Sequence, residues 1–115
     1  MKSLQNRSKA FALRAIRFCQ NLPSTPECRI IRDQLLRSST SVGANYRAAC
    51  RAHTRKAFIH KLSLVEEEAD ESHYWLGLLS DLNIGNPDER EWLRQEADEL
   101  TRIVVASKRT ARSGH

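Results

Sequence analysis

A carboxylate three residues before a histidine, as in Asp70-x-x-His73, places two metal ligands on one face of a helix. Di-iron and di-manganese bundles use that spacing. Such a centre also needs a second motif of the same kind and two further inward carboxylates. The other histidines, His53, His60 and His115, have Cys50, Ala57 and Arg112 at the corresponding position, so the second motif is missing. Cys50-x-x-His53 offers two ligands where structural zinc takes four. The small, polar run Ser38-Ser39-Thr40-Ser41-Val42-Gly43-Ala44 could suggest a phosphate-binding turn, but it lacks the G-x-x-x-x-G-K-[ST] pattern and contains no lysine. Its blander role is to let another helix approach closely. Expectation at this point is a protein with no catalytic residues, no metal and no cofactor, and not an enzyme.

The acidic run from Glu66 to Glu71 divides by face. Glu66, Glu67 and Asp70 read as a solvated surface, whereas Glu68 and Glu71 fall in an apolar stripe and should pair with arginine or with Ser or Asn. Charge is also divided along the chain. Residues 1–61 hold 13 Lys/Arg against Glu27 and Asp33, for +11, and residues 62–115 hold 6 against 12 acids, for −6. That split suits either a nucleic-acid surface on the first half or a complementary surface on a neighbouring copy. The candidate nucleic-acid-binding residues are Arg7, Arg14 and Arg17 on one side of the first helix, and Arg29, Arg47 and Arg51 on one side of the second.

The elements that must carry these residues are helices. With 115 residues there is room for one core, and 40% hydrophobic and 29% charged residues with only four Gly and three Pro favour amphipathic helices over many short strands. Residues 1–115 therefore read as a single all-α domain, an up-down-up-down antiparallel four-helix bundle. Leu4, Ser8, Phe11, Ala15, Phe18 and Leu22 recur at steps of four and three, giving a helix over about 3–21. Thr25, Pro26 and Glu27 start the next, over about 26–52, with a seam at Cys28, Ile31, Leu35, Ser38, Val42, Asn45, Ala49 and Ala52. Thr54 caps a third, over about 55–82, and Gly85 suits its C-terminal cap. Asn86-Pro87-Asp88-Glu89 opens the fourth, over about 87–112, with a seam at Leu93, Ala97, Leu100, Val104, Ser107 and Ala111.

The third helix has two seams. Besides Phe58, Leu62, Val65, Ala69, Ser72, Leu76 and Leu79, a second row of Leu64, Glu68, Glu71, Trp75, Leu78 and Leu82 lies about 100° away. One neighbour cannot cover so wide an arc. Glu68, Glu71, Trp75, Leu78 and Leu82 are therefore the candidate oligomer interface, and a lone bundle would leave Trp75, Leu78 or Leu82 in water. No apolar run is long enough for a membrane span, and the start at Met1 lacks a secretory stretch. Three cysteines without a C-x-x-C pair read as reduced thiols. A cytoplasmic protein with no membrane partner is expected.

Several segments together resemble a known family: Gln34-Leu35-Leu36-Arg37-Ser38-Ser39, then Ser41 to Ala52 with Asn45-Tyr46-Arg47 at its centre, then Phe58-Ile59-His60-Lys61-Leu62, Glu68-Ala69-Asp70-Glu71 with Tyr74-Trp75-Leu76, and Ala106 to Arg112. The chain resembles, over nearly its whole length, the bacterial four-helix bundle family of 23S rRNA intervening-sequence proteins, also called S23-like. It departs from that pattern at Ala48, where many members carry an acid. The resemblance implies assembly as a ring, a pentamer, and a distant likeness to accessory proteins of diversity-generating retroelements, which bind nucleic acid and a reverse transcriptase through basic surfaces. It implies no enzyme. The expected function is a non-enzymatic homo-oligomeric scaffold that binds RNA or DNA weakly, without strong sequence preference. The alternative is an oligomeric adaptor whose basic half serves self-assembly or a protein partner.

Overall fold

A computed structural model describes residues 3–114, and within them the chain forms α1 (Leu4–Gln20), α2 (Pro26–Cys50), α3 (Arg55–Asp81) and α4 (Pro87–Arg112). Each helix starts at a side chain that accepts from a free backbone N–H three residues on. Ser3, Thr25, Thr54 and Asn86 are these caps, and Pro26 and Pro87 follow two of them at the first helical position, where no amide is needed. The expected boundaries hold to within one or two residues, α2 ending at Cys50 instead of Ala52.

The end of α3 differs from expectation. Gly85 is not its cap; Asn83 takes the left-handed conformation at φ 55°, with its N–H donating to the Ser80 carbonyl and that of Ile84 to the Leu79 carbonyl. This is the paired-bond termination in which Asn can replace Gly. Gly85, at φ 90°, has another role. A Cβ there would lie 2.6 Å from the Phe18 ring, so its bare backbone lets the loop close over the end of α1.

Consecutive helices pack side by side, α4 returns to α1 along the least extensive of the four seams, and diagonal helices bring no Cα atoms within 8 Å of each other. Partners run in opposite directions, as Arg7 facing Glu96 and Arg14 facing Glu89 require. The result is an antiparallel bundle of about 47 × 23 × 20 Å. Its core follows the heptad seams: Phe11, Leu35, Leu62, Leu76, Leu79, Leu93 and Leu100 are all at or near zero exposure. Truncating any of these leucines to Ala should cost about 2–5 kcal/mol. Polar seam positions find partners, since the Ser38 and Ser72 hydroxyls meet at 2.9 Å inside the α2/α3 seam. Asn45 is only half-buried and donates to the Ser41 carbonyl. The small run of α2 admits α1 closely, a Cβ on Gly43 reaching within 3.4 Å of the Ser8 hydroxyl.

Candidate nucleic-acid interface

The six candidate arginines do not form one surface. On α1, the expected basic stripe is divided by what α4 presents. Arg7 donates to Glu96 through Nη2 at 2.8 Å and Nε at 3.2 Å, and its Nη2 lies 3.7 Å from Glu99. Arg14 forms a fork on Glu89, with bonds of 2.8 and 2.9 Å, while its guanidinium sits 3.5 Å from the centre of the Trp92 ring. A helical wheel shows which residues share a face but not which helix will cover its edge. Both arginines are consequently held beside α4, and only Arg17 of the three is exposed. The electrostatics agree, since the Arg14 hydrogen bonds hold the Glu89 carboxyl below its ordinary range and the Glu96 hydrogen bond raises the Arg7 guanidinium above its own.

Arg29, Arg47 and Arg51 on α2 are exposed and take part in no ion pair among the described residues. Arg47 and Arg51 stand one turn apart near the end of the helix. With Lys9 of α1 they line a groove of about 560 Å³ that Asn6, Ala12, Thr40, Gly43 and Ala44 also border. Among the described residues no carboxylate lines that groove. Lys9 was missed in the sequence, because its membership depends on how closely α1 and α2 approach.

Two of the five candidate oligomer residues on α3, Glu68 and Glu71, are engaged by α2 of the same chain. Arg37 donates to both oxygens of Glu68 at 3.1 Å and also to Glu71, and the Trp75 indole N–H donates to Glu71 at 3.0 Å. Bonds from Trp75 and Arg37 hold the Glu71 carboxyl below its ordinary range. Trp75 and Leu78 are half-buried against the core of the same chain. Leu82 stays 54% exposed, as do Tyr74 at 57% and Ile30 of α2 at 63%. Ile30 lies two turns before Arg37 and Leu78 two turns after Glu71, so in this antiparallel pair they share the side on which Arg37 meets Glu71.

Asp70 is exposed, and His73 borders a shallow surface cavity with Glu91, Arg94, Gln95 and Asp98. Among the described residues no three His, Cys, Asp or Glu side chains are grouped as metal ligands would be. Burial pushes the Cys19 thiol up to about 12, far from a reactive thiolate. No helix among the described residues is long and apolar enough to cross a membrane.

A crystal structure of a protein with unknown function from the S23 ribosomal protein family of Bacteroides thetaiotaomicron shares 30% identity and a TM-score of 0.85 with this chain, covering 92% of it and 98% of its own length. No curated protein matches. The family model described as 23S rRNA-intervening sequence protein matches residues 3–106, nearly the whole bundle. On that match the chain belongs to the 23S rRNA-intervening sequence protein family.

Proposed function

We propose that the protein is a non-enzymatic, cytoplasmic, homo-oligomeric scaffold that binds RNA or DNA weakly and without strong sequence preference through basic surfaces of α1 and α2. The observation that carries this reading is the groove of Lys9, Arg47 and Arg51, whose cations have no acidic partner, and whose walls hold no carboxylate, among the described residues. Unpaired guanidinium and ammonium groups suit phosphate, a contact that positions a strand without reading its bases. Self-association is supported by the exposed Ile30, Tyr74 and Leu82, and a ring of the pentameric kind is the form we propose. Three unpaired thiols suit a reducing compartment.

The adaptor reading also has support. Arg7, Arg14 and Arg37 are engaged with glutamates of the same chain, so part of the basic half serves packing. Titration of labelled RNA and DNA of several unrelated sequences separates the two. Micromolar or weaker binding that varies little with sequence supports the scaffold; absence of binding at low salt leaves the adaptor. Light scattering at micromolar protein tests assembly, and a monomer would remove the ring.

A further inference from the structure

The split between the halves of the sequence becomes, in the folded chain, a difference between the two ends of the bundle. Residues 40–65, which close α2 and open α3, contain five Lys/Arg and no acid. Residues 100–114, the last turns of α4, contain four Lys/Arg and no acid. The antiparallel fold brings these segments to one pole. Lys108 of α4 bonds Glu66 of α3 at 2.8 Å, and a side-chain carbon on Gly114 would meet the Arg55 guanidinium at 3.7 Å. Arg47, Arg51, Arg55, Lys56, Arg109 and Arg112 are all exposed there and in no ion pair among the described residues.

Four of these six have an ordinary structural role. Arg47, Arg51, Arg109 and Arg112 lie at helix C-termini, where positive charge is favoured. Arg55 and Lys56 have none, because they occupy the first turn of α3, where the helix dipole disfavours cations. In α2 and α4 the same turn carries Glu27 and Asp88 with Glu89. Local rules are broken in this way where a residue serves something other than its own helix.

We propose that this pole docks the phosphodiester backbone of a nucleic-acid duplex, with Arg55 and Lys56 as its central contacts and Arg51 and Arg109 beside them. The proposal rests on the nucleic-acid reading above, extends its contacts from the groove beside Arg47 and Arg51 onto α3 and α4, and gives it a class of ligand. A duplex is favoured over a single strand because the described residues of the pole offer little for bases to stack on: Tyr46 and Phe58 are packed against the core, Phe58 lining only a shallow apolar groove with Ile103 and Ala106, the exposed rings are the small imidazoles of His53 and His60, and the exposed Tyr74 lies well along α3. A duplex also carries one charge per about 1.7 Å of axis, so a rigid face as wide as the bundle spans roughly a dozen phosphates. An anionic membrane is a poorer fit, since the exposed large apolar residues Leu13, Ile30, Tyr74 and Leu82 all lie outside the pole segments. Leu82 and Ile30 sit towards the opposite end, so assembly through them leaves the pole open.

The test compares two variants with the same change in net charge: Arg55→Glu with Lys56→Glu at the pole, and Arg17→Glu with Arg29→Glu at the other end. Each is titrated with a 20-base-pair duplex, with a single strand of the same sequence and with phosphatidylserine vesicles, after melting and light scattering confirm fold and assembly. Should the reversal disturb either, Arg55→Gln with Lys56→Gln replaces it. The expected result is a loss of about tenfold or more in duplex affinity for the pole variant and less than about threefold for the other. Equal losses, or a larger loss from the Arg17 and Arg29 variant, would overturn the pole while leaving nucleic-acid binding standing. Tighter binding to the single strand or to vesicles than to the duplex would overturn the ligand class. No binding of any nucleic acid by the wild type would overturn both readings together.

Discussion

Along the seam between α1 and α4, arginine is matched with glutamate, Arg7 with Glu96 and Arg14 with Glu89, and the same happens where Arg37 of α2 meets Glu68 and Glu71 of α3. At the pole where α2 turns into α3, arginine and lysine are exposed without acidic partners among the described residues. These regions draw on the same residue types. The charge available to a ligand is thus set by helix register and not by composition. A guanidinium that bridges two helices is part of their packing, while one that faces only water and other cations raises the local potential and attracts anions.

The largest effect on stability is expected at Arg14. Arg14→Ala removes two hydrogen bonds to Glu89 and the contact with the Trp92 face, for an expected loss of about 2 kcal/mol and several degrees in Tm. Duplex affinity should change by less than about threefold, in contrast with the pole variant. Loss of binding with unchanged melting would show that Arg14 is available to ligand after all. Glu71→Gln should cost less, about 1 kcal/mol, because the Trp75 indole keeps an acceptor and Arg37 keeps Glu68. Melting followed by tryptophan fluorescence measures it, and an unchanged midpoint would mean that the α2/α3 bridge adds nothing to stability.

Acid should act on the seams and not on the pole. Glu71 and Glu89 have folded pKa values below their ordinary range, so their contribution is fully present above the unfolded carboxylate value of about 4.3 and is lost as pH falls through the lower folded values. Melting should therefore decline below about pH 4, and Arg14→Ala should lose less over that range than wild type. Parallel acid profiles for the two would contradict the Glu89 assignment. The smallest effect is expected at the pole itself. Arg55→Glu with Lys56→Glu should leave Tm unchanged or raise stability by about 0.3–1 kcal/mol, as acids are favoured in a first turn. A marked fall in Tm would give those cations a structural role.

Much of this architecture is legible in the chain because it is local. Thr25, Thr54, Asn86, Pro26 and Pro87 announce helix starts through their own chemistry, and Phe11, Leu35, Leu76 and Leu100 fall on heptad seams that need only a count of residues. Asn83 was less legible, since it competes with Gly85 for the same left-handed cap and packing under Phe18 decides between them. The pairing of Arg7 and Arg14 with Glu96 and Glu89 is not local at all. It depends on the register of helices separated by most of the chain. The same holds for Lys9, which joins Arg47 and Arg51 only once α1 and α2 are packed, and for Arg109, which shares a pole with Arg55 only because the bundle folds back three times.

The salt dependence of duplex binding by the wild-type protein counts the phosphates that the pole engages. If the exposed cations of the pole release counterions from at least three or four phosphates, log affinity against log salt should fall with a slope of about −3 or steeper. The same slope should hold for duplexes of unrelated sequence. A slope shallower than about −1, or no binding at the lowest salt, would contradict the account.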